Sequence, residues 1–167
     1  HRAAPVPDRA PADAQADGWR LLLSPPILLN FAFFIMLSMV SDGLNQFLVV
    51  GLAALHHTPL ALANSALTVL LTMVAVGVLL GGVVAARTPH HNLVAGSGLL
   101  VTGLVSATIG VWDPGVLLLF ALVTLSGLAT GMTMPSRDMI VRSATPPGSF
   151  GKVFGFVSTG LHVGGVI

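Results

Sequence analysis

Residues 27–52 read ILLNFAFFIMLSMVSDGLNQFLVVGL, an apolar run with a single ionisable side chain, Asp42. About 20 mostly apolar residues cross the roughly 30 Å hydrocarbon layer of a bilayer as a helix. The run has the length and composition of a membrane span, and its side chains do not alternate with period two as a membrane barrel strand would. Its polar positions are also ordered. Asp42, Asn45 and Gln46 are spaced i, i+3, i+4, so they share one helical face, and Ser41 lies beside them.

The rest of the chain repeats the pattern. Further apolar runs occupy Leu60 to Ala86, Leu93 to Trp112 and Gly115 to Met134, and a fifth starts at Phe150 and is cut off at Ile167. The separators are short and rich in helix breakers: His56-His57-Thr58-Pro59, Arg87-Thr88-Pro89, Trp112-Asp113-Pro114 and Pro146-Pro147-Gly148. The expected fold is an all-α membrane protein, a polytopic transmembrane helix bundle. Residues 25–167 form its membrane part, with four complete helices and a truncated fifth. Residues 1–24, rich in Pro, Ala and Asp, are expected to be a flexible cytoplasmic linker. The chain begins at His1 rather than Met and stops inside an apolar run, as a piece of a longer protein would.

Composition narrows the function classes. The 167 residues are 54% hydrophobic and 8% charged, with a mean hydropathy of +0.91. Soluble domains carry roughly a quarter charged residues, so a soluble enzyme and a disordered tail are excluded. A net charge of +1 argues against a nucleic-acid surface. The chain has no cysteine, which removes disulfides, thiolate metal sites and thiol nucleophiles. The seven basic residues (Arg2, Arg9, Arg20, Arg87, Arg137, Arg142 and Lys152) all fall before the first span, between the second and third, or after the fourth. Alternate connections lie on one side of a membrane, and short basic loops stay in the cytoplasm. This places 1–24, 87–91 and 136–149 on the cytoplasmic side of a multi-pass protein of the cell (inner) membrane.

Asp42 is the residue best suited to carry chemistry. It lies about 22 Å along the helix from Ile27, somewhat past the bilayer middle. An intramembrane carboxylate is costly unless it faces water or a partner, so it commonly lines a substrate or ion pathway. The alternative is an interhelical hydrogen bond that only holds the bundle together. His162, about 18 Å from Phe150, suits a proton relay or simple packing. The adjacent pairs His56-His57 and His90-His91 lack the i, i+4 spacing that aims two imidazoles at a metal, so no metal is expected. Ala95-Gly96-Ser97-Gly98 is close to the nucleophile motif of intramembrane serine proteases. Its first position is Ala95, however, and Ser97 lies near one end of its helix while His162 is deep, so no enzymatic activity is expected. Gly77/Gly81, Gly127/Gly131, Gly151/Gly155 and Gly160/Gly164 have the four-residue spacing that lets helices approach closely in lipid. No Walker-type lysine follows a glycine run, and no cofactor is implied.

Gly82-Val83-Val84-Ala85-Ala86-Arg87-Thr88-Pro89-His90-His91 resembles the cytoplasmic loop signature of the major facilitator superfamily: a glycine, three residues, Asp, Arg, one residue, Gly and two basic residues. Gly82 and Arg87 match, while Ala86, Pro89 and His90-His91 depart. The family's second copy of this loop is commonly degraded, so the resemblance makes the flanking spans the eighth and ninth helices. Gly131-Met132-Thr133-Met134-Pro135-Ser136-Arg137-Asp138, through Gly151-Lys152-Val153-Phe154-Gly155, is similar to the junction of the tenth and eleventh. The resemblance implies the C-terminal half of a bacterial efflux-type transporter, helices seven to eleven, whose partner is the N-terminal half of the same protein. The seventh and tenth helices line the central cavity in this family. That adds Thr124, Ser126 and Thr130 to Ser41, Asp42, Asn45 and Gln46 as pathway residues. Gly82, Arg87, Arg137, Asp138 and Arg142 become a cytoplasmic gate or loop. The implied function is alternating-access transport of a small molecule, coupled to protons. A non-transporting packing or assembly module is the alternative.

Overall fold

The structure is a computed structural model and describes residues 19–166. It is built from helices α1 (Pro25–His56), α2 (Leu60–Arg87), α3 (His91–Val111), α4 (Gly115–Ala144) and α5 (Phe150–Val166). The first four are long and apolar enough to span a membrane.

The helix ends follow from local chemistry. Pro25 and Pro26 occupy the first turn of α1, where their missing N–H groups have no helical partner to lose. His57 closes α1 in the left-handed region at φ 51°, its N–H bonded to Leu52 O, and Pro59 then prevents continuation. Gly115 takes φ +67° at the tight turn into α4, where its N–H donates to Asp113 Oδ1 at 3.1 Å.

One boundary differs from expectation. The fourth span was expected to end at Met134 with a loop over 136–149, but α4 runs through Pro135 to Ala144. A proline ring clashes with the carbonyl four residues back and removes one ladder bond; the residue four back is Gly131, and transmembrane helices tolerate such breaks when neighbouring groups re-satisfy the backbone. Hydropathy marks where lipid ends, whereas the hydrogen-bond ladder continues into the polar turns at Ser136, Arg137 and Asp138. The linker expected over 1–24 lies outside the described residues as far as position 18. Residues 19–22 form a helical turn, and Leu22 is buried.

Packing concentrates in three helix pairs: α2 with α4, α3 with α4, and α1 with α5. Two apolar clusters result. One joins Leu48 and Leu52 of α1 to Ala63, Ala66 and Leu70 of α2, Val105 and Ile109 of α3, and Leu119 and Val123 of α4. The other joins Leu22, Ile27, Phe34, Val141, Val153 and Val157. The C-terminal half of α1 therefore belongs to one cluster and its N-terminal half to the other. Elsewhere the outer surface is greasy: Leu117 is 88% exposed and Leu79 74%, which suits lipid rather than water as the surrounding medium.

Candidate functional site

The stretch of α1 between the two clusters carries most of its polar side chains. Ser38 is 2% exposed. Its hydroxyl makes hydrogen-bond contacts with Asp42 Oδ2 one turn later and with the Leu161 carbonyl of α5, the latter at 2.6 Å. The α5 glycines bring the two helices this close. A Cβ added to Gly164 would fall 2.8 Å from Ser38 Cβ, and one added to Gly165 would fall 3.2 Å from Asp42 Oδ2. Beside this contact lies a cavity of about 260 Å³ lined by Met39, Gly43, Gln46, Phe47, Gly164 and Gly165. Among the described residues no cation lies within ion-pair distance of Asp42; the one salt bridge joins Arg137 Nε to Asp138 Oδ1 at 3.0 Å.

The residues expected to line a pathway separate into groups. Asp42 meets α5, and Gln46, one turn on, lines the α1–α5 cavity. Asn45 is half-buried. Ser41 lies seven residues from both Phe34 and Leu48, on their stripe, and its Oγ is buried without a hydrogen-bond partner. On α4, Thr130 Oγ1 pairs with Thr102 Oγ1 of α3 at 3.0 Å. Ser126, one turn earlier on the same face, is buried without a partner. Thr124 is half-buried on another face. No hydrogen bond joins the α4 hydroxyls to Asp42 among the described residues, so sharing a helix with inward-facing positions did not bring them together.

The cytoplasmic set also divides. The Arg137 guanidinium sits 4.7 Å above the Phe34 ring, tying the end of α4 to α1 by a cation–π contact. Gly82 has open space around it, and Arg87 and Arg142 are exposed. These two cations occupy the last turns of α2 and α4, where positive charge complements the helix dipole. His162 is exposed, its Nδ1 3.3 Å from Ser158 O of its own helix. The residue overlooked in the sequence is Ser38. Its signal was available: a hydroxyl four residues before the lone intramembrane acid.

A bundle of apolar helices with lipid-compatible outer faces and a polar junction at mid-helix defines an integral, multi-pass membrane protein. The family model described as Major Facilitator Superfamily matches residues 31–167, most of the chain. The chain belongs to that superfamily and is accordingly a membrane transporter that handles small molecules within a lipid bilayer. No curated protein and no solved structure gives a significant match.

Proposed function

We propose that the chain is part of a secondary active transporter working by alternating access and driven by a proton gradient through Asp42. The observation that carries this reading is a carboxyl group within a membrane-spanning helix, with no counter-charge among the described residues, beside Gly165 and one turn before Gln46, both of which line a cavity of about 260 Å³. An ionised carboxylate at such a depth costs roughly 2.5–3.5 kcal/mol on insertion scales. Taking up a proton removes that cost and lets the cavity close, and releasing the proton favours the water-open state. Gly82 and Arg87, the Arg137–Asp138 pair and Arg142 form the cytoplasmic end, with residues 1–24, 87–91 and 136–149 on that side of the inner membrane. The register that matches the loop signature makes α1 to α5 helices seven to eleven of a bacterial efflux antiporter. The cavity wall is then completed by the N-terminal half of the same protein.

The test is transport by the full-length protein in proteoliposomes. Asp42→Asn is expected to abolish gradient-driven flux while leaving substrate exchange down its own gradient. Gradient-driven flux at the parent rate in Asp42→Asn would sink the proposal.

A further inference from the structure

Two hydrogen bonds meet at one hydroxyl. Ser38 Oγ contacts both Asp42 Oδ2 and the Leu161 carbonyl, and Ser38 itself is buried. A carboxylate and a carbonyl both accept, yet a serine hydroxyl supplies one hydrogen. One hydrogen shared between two acceptors serves each weakly, and a second hydrogen is available from Asp42 in its carboxylic acid form. The acid O–H then donates to Ser38 Oγ, and the Ser38 O–H donates to Leu161. When Asp42 ionises, the carboxylate draws the serine hydrogen to itself, because charge-assisted bonds are roughly twice as strong as neutral ones. The Leu161 carbonyl is left without its cross-helix donor.

We propose that Ser38 is a positioning residue that converts the protonation state of Asp42 into attachment of α5 to α1. This rests on the reading of Asp42 as the coupling residue and adds its mechanical output. Val153 and Val157 hold the first turns of α5 in an apolar cluster. Beyond them, Gly160, Gly164 and Gly165 present no side chain to α1, so the Ser38 hydroxyl is the polar tie at that level. The other titratable groups on the elements packed against α1 are differently engaged. On α5, His162 is exposed and faces Ser158 O, and Lys152 is exposed near the opposite end. On α4, Arg137 and Asp138 pair with each other beside Phe34, Arg142 is exposed, and Asp113 bonds Gly115 N before the helix begins. On α2 and α3, Arg87, His90 and His91 cluster at the connection between those helices. His56 of α1 bonds Ile109 O at 2.6 Å at the far end, with His57 next to it.

These 167 residues contain no cysteine, so paired labels can be placed within them once any cysteine elsewhere in the full-length protein has been replaced. Spin labels on Met36→Cys and Val163→Cys, both at exposed positions of α1 and α5, report the distance between the helices in the full-length protein in lipid nanodiscs. The expected result is a short distance at acidic pH that lengthens as pH rises. Asp42→Asn, whose amide N–H can still donate to Ser38, should hold the short distance at every pH. Ser38→Ala should lose the pH-dependent shift, and His162→Gln should keep it. A full shift in Ser38→Ala, or its loss in His162→Gln, overturns the proposal. A parent protein without any shift, but whose Asp42→Asn variant has lost gradient-driven flux, overturns this latch and leaves the coupling role intact. A shift accompanied by undiminished flux in Asp42→Asn does the reverse.

Discussion

The α2–α4 and α1–α5 crossings use the same residue type in opposite ways. In the first, both helices contribute glycines. A Cβ on Gly77 would lie 2.6 Å from Leu128 O, one on Gly81 2.6 Å from Met132 Cα, and one on Gly127 2.5 Å from Leu70 O, while Gly131 meets Val74 O and the Val78 N–H. Backbone rests on backbone, and nothing can rotate aside. In the second, only α5 contributes glycines: Gly164 rests on the Ile35 backbone carbonyl as closely as glycines do at the first crossing, while Gly160 faces the Phe31 carbonyl at 3.0 Å and the Phe31 ring at 3.2 Å. The Phe31 ring can adjust at the Gly160 level, and the Ser38–Leu161 hydrogen bond lies beside the backbone contact at Gly164. Close contact in lipid is thus unyielding along the whole of one crossing and graded along the other, firm at Gly164 and adjustable at Gly160.

Substitutions can break or sharpen that contrast. The largest effect is expected from Gly131→Val, which drives a branched side chain into backbone atoms of α2. A loss of at least about 3 kcal/mol, or of folded protein altogether, should appear in thermal unfolding in detergent. Gly160→Ala should stay within about 1 kcal/mol of the parent, because slight movement of Phe31 is offset by the higher helix propensity of alanine. Equal damage from the two would erase the distinction. Thr130→Val comes next: it leaves the buried Thr102 hydroxyl without its cross-helix partner. Double-mutant cycles on membrane hydrogen bonds average about 0.6 kcal/mol, so a small but measurable drop in unfolding temperature is expected. The smallest destabilisation belongs to Gly82→Ala, since its Cβ would meet open space and alanine's higher helix propensity favours the helix. A shift distinguishable from zero in the destabilising direction would reveal a neighbour that these five helices do not supply.

The sequence announced the helices clearly because membrane spans carry a strong, one-dimensional signal. Apolar length and breaker-rich separators located all five, and the single acid marked the polar junction. Facing was far less legible. The i, i+4 glycines at Gly151 and Gly155 look identical in sequence to those at Gly160 and Gly164, yet only the second pair meets another helix. Thr130 and Asp42 both read as inward, but one turned to α3 and the other to α5. Rotation about a helix axis is set by which neighbour arrives against it, and an almost uniformly apolar helix carries little local record of that choice. The end of α4 was hidden for a related reason, since hydropathy reports solvent and the helix outlasted the lipid.

The hydrogen bond from Ser38 to Leu161 closes across 123 residues of chain. At a synthesis rate of about 5–20 residues per second, α1 is made roughly 6 to 25 seconds before its acceptor exists. Throughout that interval the serine and its neighbouring acid must be sheltered by something other than α5. Biogenesis therefore confronts a vulnerable intermediate that the finished bundle conceals, and the apolar residues on either side of Asp42 have to carry α1 through it unaided.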